Sequence, residues 1–102
     1  MSVRFTWDPA KAESNKRKHK IAFEEATRVF FDPFALYEED QVGDGEYRSS
    51  MIGEAYGVIL FVAYTYDHEE HETELIRIIS ARYAVRPERK RYEEARYGYL
   101  RS

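Results

Sequence analysis

Arg77, Arg82 and Arg86 lie within ten residues of one another in TELIRIISARYAVRPERKRY, residues 73–92. A guanidinium is planar, permanently charged and shaped to fit a phosphate, so such a cluster suits a phosphate-handling site. Arginine does not give up its proton, which limits its role to binding phosphate and stabilising added charge in a transition state. A base must come from elsewhere. His19 is the ring near the basic segments that titrates close to neutrality, with Lys20, Tyr64 and Glu88 as substitutes. RNA cleavage without a metal needs only these parts, because the neighbouring 2′-hydroxyl is the nucleophile, a group DNA lacks. The plainer reading is a set of structural ion pairs with the chain's many glutamates.

Other chemistry finds little support. There is no glycine-rich phosphate loop, no nucleophile elbow and no paired-carboxylate signature. The chain has no cysteine, which removes a disulfide scaffold, a thiol nucleophile and cysteine-ligated zinc. His68 and His71 stand among glutamates in DHEEHETE, residues 67–74, but their spacing matches neither the helical zinc motif nor a calcium loop, so no metal and no cofactor is expected. No apolar run approaches the roughly 18 residues of a membrane span and the N-terminus lacks a signal-like region, which predicts a cytoplasmic protein.

The net charge of −3 conceals a segregation. Residues 1–20 carry six basic against two acidic side chains and residues 77–102 eight against three, while residues 21–76 carry two against fourteen. Two basic ends that meet in space would offer a patch to a polyanion and leave an acidic surface for a basic protein partner.

The elements that must position these residues form a single domain over 1–102, of α+β class. A short strand over 3–7 is followed by a helix capped by Asp8, with Pro9 in its first turn, running to about Lys18. Asp8, Ala12, Asn15 and His19 share one face of it, and Asn15 is best read as a structural hydrogen-bonding group. A second helix begins at Phe23, with Phe23, Ala26, Val29 and Phe30 as its apolar stripe, and ends at Asp32-Pro33. Strands follow at 34–40 and 46–55 around a turn at Gly43-Asp44-Gly45, then a turn from Gly53 to Gly57. YGVILFVAYTY, residues 56–66, predicts a central strand covered on both faces. The arginine strand, also expected to be buried on both faces, completes an antiparallel four-stranded meander, and a C-terminal helix follows with Glu88, Tyr92, Ala95 and Tyr99 on one face. In a regular strand Arg77 and Arg82 would point to opposite faces, so their convergence requires a bulge near Ser80-Ala81 or the strand's end.

Two stretches resemble the BrnT toxins of bacterial type II toxin–antitoxin systems. In WDPAKAESNKRKHKIAFEEA the matching residues are Trp7, Asp8, Lys11, Ala12, Asn15, Lys18, His19, Phe23, Glu25 and Ala26; in IRIISARYAVRPERKRYE they are Arg77, Ile79, Ser80, Ala81, Arg82, Arg86, Glu88, Arg89 and Tyr92. Lys20 stands where the family usually has glycine, and Tyr83 where a second basic residue is usual. The resemblance implies a RelE-like fold and a translation-inhibiting ribonuclease, neutralised by a BrnA-type ribbon-helix-helix antitoxin in a hetero-oligomer that meets DNA only through the antitoxin. Carried onto this chain, it places Arg77, Arg82 and Arg86 on phosphate with His19 and Trp7 nearby. Trp7, Lys18, Lys20 and Arg89 are then the expected RNA contacts. A second reading keeps the partner and drops the catalysis: a degenerate toxin that binds antitoxin.

Overall fold

The computed structural model describes residues 2–41, 47–68 and 73–101, with the side chains of 40, 41, 47, 67, 68 and 99–101 excepted. Its elements are β1 (Ser2–Thr6), α1 (Pro9–His19), α2 (Phe23–Ala26), a 3-10 turn (Thr27–Phe31), β2 (Leu36–Gln41), β3 (Tyr47–Ala55), β4 (Val58–His68), β5 (Thr73–Tyr83) and α3 (Arg86–Arg101). The sheet has five strands in the order β1-β5-β4-β3-β2 rather than the four expected. β2 to β5 pair antiparallel with their sequence neighbours, and β1 joins the far edge parallel to β5 with Val3 opposite Glu74 and Thr6 opposite Arg77. A five-residue strand with a weak alternation signals its existence but not its partner.

The sheet has an unequal pair of faces. α1, α2 and the 3-10 turn cover one, the helix face, where Phe23, Ala26, Val29, Leu60, Val62, Ile78 and Ala81 are buried together. α3 covers only one end of the other, the open face, where Tyr92, Ile52 and Ala84 pack with Phe34, Leu36, Ile59 and Phe61. The central strand β4 is therefore covered on both faces near Leu60 alone, and its far end, at Tyr66, is exposed. The inner side of α3 also departs from expectation. Glu88, Tyr92 and Arg96 turn inward, whereas Ala95 is exposed, because the Arg96 guanidinium reaches Glu54 at 2.9 Å and lies over the Phe34 ring. The side chain of Tyr99, the turn at Gly43-Asp44-Gly45 and His71 lie outside what is described.

Two backbone details fix the frame. α1 ends on Lys20 in the left-handed conformation (φ 63°), its N–H donating to Lys16 O, so a lysine forms the cap for which glycine is the usual choice. Gly53 belongs to the interior of β3 and not to the following turn, which is Tyr56-Gly57. A Cβ at Gly53 would sit 2.7 Å from Val29 Cγ1, so glycine is what lets the 3-10 turn lie against the sheet. At the same place the Asp32 carboxylate accepts from Phe34 N, Glu54 N and the Tyr92 hydroxyl at 2.9, 2.8 and 2.6 Å, tying the turn, β3 and α3 together.

Candidate functional site

β5 carries most of the candidate residues, and a bulge governs where they point. Opposite β5, Ala63 pairs with Ser80 but the next residue, Tyr64, pairs with Ile78, so Ile79 is the extra residue. The bulge adjoins the Ser80-Ala81 step near which strand parity required one. Before it the even-numbered residues Ile76 and Ile78 face the helices; after it Ala81 does. Arg77, opposite Thr65, and Arg82, opposite Phe61, therefore share the open face, with Ser80 between them. Four residues of β4 separate their partners, or about 13 Å at 3.3 Å per residue.

Arg77 is exposed, with no ion pair among the described residues. It lines an open cleft of about 520 Å³ with Thr6, Trp7, Asp8, Leu75 and Thr65. β1 pairing brings Thr6 opposite Arg77, and the Asp8 cap turns the chain into α1, Asp8 Oδ1 accepting from Ala10 N at 2.9 Å. Trp7 is held by an edge-on contact with the buried Phe23 ring, at 5.9 Å between centroids, while still lining the cleft. It is at once a core residue and a cleft residue.

His19 lies in a neighbouring cleft with Lys11, Ser14, Lys18 and the bulge residues Ile79 and Ser80. Asn15 positions the helix that carries it. Its Nδ2 donates to Ala81 O at 2.9 Å and to Ile21 O at 3.1 Å, and its Oδ1 accepts from Ala81 N at 3.1 Å, so one side chain pairs with the β5 edge where β1 has ended. The structural reading of Asn15 is the correct one. Lys18 and Lys20 are exposed beside it.

Arg82 is differently placed. Its guanidinium makes a two-pronged pair with Glu88, at 2.8 and 3.0 Å, and lies 4.2 Å from the centre of the Phe61 ring. Glu88 also accepts from Val85 N at 2.9 Å, closing the start of α3. The bond from Arg82 holds the Glu88 carboxyl below its usual pKa, against the opposing effect of burial, so Glu88 is an ionised structural acceptor. The ion-pair reading describes Arg82. Arg86 and Arg89 are exposed on the first turns of α3, with Arg89 donating to Ala84 O at 2.7 Å. Tyr64 is buried on the helix face, where burial pushes its hydroxyl pKa up, which removes it as a substitute base for the open face.

Arg48 was not foreseen. It follows the alternation of Ser50 and Ile52 onto the open face, opposite Asp40, and its Nε is buried with no hydrogen-bond partner among the described residues. The available signal was a strand arginine beside serines in EYRSS, on a strand whose alternation already marked a wet face. Among the described residues no three His, Asp or Glu side chains are grouped to hold a metal ion. The basic N-terminal and C-terminal segments do meet, since β1 pairs with β5 and Asn15 of α1 bonds its backbone.

The family model described as ribonuclease toxin, BrnT, of type II toxin–antitoxin system matches residues 7–88, from Trp7 at the Arg77 cleft to Glu88 beneath Arg82. The chain belongs to the BrnT family. Membership makes it a ribonuclease toxin of a type II toxin–antitoxin system, with RNA as the substrate class and a cognate antitoxin as partner. No curated protein is a significant match to the chain. The BrnT match begins just after β1, takes in α1, the whole meander and the bulge, and ends in the first turn of α3. No helix among the described residues is long and apolar enough to cross a membrane.

Proposed function

We propose that this BrnT toxin cleaves RNA on the open face of the sheet beside the β5 bulge, without a metal, and thereby inhibits translation. The observation that carries the reading is Arg77: an exposed guanidinium with no ion pair among the described residues, in a cleft that also holds Trp7. Arg77 binds the scissile phosphate and stabilises the charge that grows on it as the 2′-oxygen attacks. His19 takes the 2′-hydroxyl proton, and as the 2′-oxygen closes a 2′,3′-cyclic phosphate the P–O5′ bond breaks, the departing 5′-oxygen taking its proton from the His19 imidazolium by way of water. Its ring shares a cleft with Ser80, and Ser80 and Arg77 pair with Ala63 and Thr65, two residues apart on β4, or about 7 Å along the strand. Trp7 stacks a base, and Lys18, Lys20, Arg86 and Arg89 hold the flanking backbone. Arg82, its charge shared with Glu88, positions the strand end and adds field rather than a free phosphate ligand. The fold is RelE-like in this reading, and a BrnA-type ribbon-helix-helix antitoxin neutralises the toxin in a hetero-oligomer.

A second reading, a non-catalytic subunit that holds antitoxin, is favoured by the net charge of −3 and by the occupation of Arg82. Purified chain incubated with structured RNA in the presence of a chelator separates the two. Cleavage that Arg77→Ala lowers by about 100-fold or more, the scale of losing one positioned oxyanion donor, supports the enzyme. Intact RNA with wild-type protein that still binds antitoxin supports the subunit, and cleavage undiminished in Arg77→Ala discards the site.

A further inference from the structure

The helix face is only half covered, and the uncovered half is a groove of about 330 Å³ crossing the whole sheet. Val3 of β1, Glu74 of β5, Tyr66 of β4, Tyr37 of β2 and Phe31 of the 3-10 turn form its walls, over a floor of Tyr64, Met51 and Ile76. Four of the exposed large apolar side chains among the described residues meet here: Phe31, Tyr37, Tyr66 and Val3 are 65%, 56%, 45% and 40% exposed. An apolar patch of this kind with a polar rim marks a binding surface.

The rim is acidic. Glu74 accepts from the Tyr66 hydroxyl at 2.7 Å, and Glu39 accepts from Tyr37 at 3.4 Å at the opposite end. Among the described residues no lysine or arginine lines the groove. It lies on the face of the sheet opposite Arg77, and most of its walls come from the acidic middle of the sequence.

From this we infer that the groove is the seat of an amphipathic helix of the cognate antitoxin, with apolar anchors toward the tyrosines and basic residues at its ends toward Glu39 and Glu74. The partner's identity rests on the toxin reading. The shape comes from the groove itself. Four strand spacings of about 4.8 Å make a crossing of about 19 Å, which a helix of about 13 residues spans. An extended peptide would instead pair along the free edge of β1 or β2, parallel to the strands. α1, α2 and the 3-10 turn already pack on the same face, and one more helix completes the layer. Docking here leaves the helix outside the Arg77 cleft, so recognition and active-site blockade are separate contacts of the antitoxin.

The test is titration of the purified chain with the full-length cognate antitoxin, in wild type and in Tyr37→Arg and Tyr66→Arg, with circular dichroism to verify the fold. Each variant should bind at least about 30-fold more weakly, as loss of a buried interface anchor does, and should still cleave RNA and arrest growth. Glu74→Lys, which adds no bulk to the floor, should weaken binding and reduce its salt dependence even if a tyrosine variant fails to fold. Affinities within threefold of wild type in all three would overturn the inference. So would a wild-type chain that self-associates in isolation and is made monomeric by these changes, since the occupant would then be a second copy. Absence of binding by wild type would instead defeat the toxin–antitoxin reading beneath it.

Discussion

Arg82→Ala should destabilise the fold at neutral pH rather than act on catalysis alone. Its guanidinium makes two charge-assisted hydrogen bonds to Glu88, whose side chain is 11% exposed, while Arg82 itself is 35% exposed. An exposed ion pair is worth about 0–1 kcal/mol, and breaking a fully buried one costs about 3–5 kcal/mol. The half-exposed arginine places this pair between, at about 2–3 kcal/mol, including the contact with the Phe61 ring. For a domain of this size that corresponds to a fall in Tm of about 10–20 °C. Glu88 has a folded-state pKa below its usual 4.5. Its contribution is therefore complete above pH 4.5 and is lost as the pH falls through the lower folded value, so the gap between wild type and variant should narrow in acid. Urea unfolding of wild type, Arg82→Ala, Glu88→Ala and the double variant at pH 7 and pH 4 measures both effects. A coupling energy under about 0.5 kcal/mol at pH 7, or a gap that widens in acid, would refute the argument.

Asn15→Ala removes three hydrogen bonds and leaves the Ala81 backbone unpaired in a buried setting, so denaturation should show a loss of about 2–4 kcal/mol. Lys20→Gly should raise stability by about 1 kcal/mol in the same assay, because the left-handed cap carries no penalty for glycine. Gly53→Ala should lower it by about 1–3 kcal/mol, since the new methyl meets Val29 Cγ1 at 2.7 Å. Arg77→Ala, an exposed change, should alter unfolding by less than about 0.5 kcal/mol, which separates its catalytic loss from any loss of fold.

The helical parts of the chain were legible because their signals are local. Asp8-Pro9 marks the start of α1, Pro87 falls in the first turn of α3, and Phe23, Ala26 and Val29 are buried as their spacing requires. The strand over 3–7 was legible but its place in the sheet was not, since β1 pairs with residues about 70 positions away and nothing in SVRFT names that partner. Parity alone exposed the need for a bulge in β5, and the structure supplies it at Ile79, a position the alternation of Ile, Ser and Ala leaves ambiguous. The inward side of α3 was misjudged at Ala95 because an arginine whose stem covers Phe34 and whose head reaches Glu54 looks, in sequence, like a solvent residue. Arg82 and Arg77 are alike as letters; only the position of Glu88 in the first turn of α3 tells the paired guanidinium from the open one.

The parallel pairing of β1 with β5 also sets the order in which the protein becomes dangerous. Ser2 meets Thr73 across 71 residues, so the first strand made has no partner until the fifth is synthesised. At about 5–20 residues per second the ribosome takes about 4–14 s to supply it. Trp7 and Arg77, which line one cleft, lie on the two sides of that late joint. A truncated or stalled chain ending before β5 would hold the aromatic and lack both the arginine and the strand that orients it. On the proposed reading the cleft therefore closes only after β5 has been made, and translation arrested before it leaves Trp7 without Arg77.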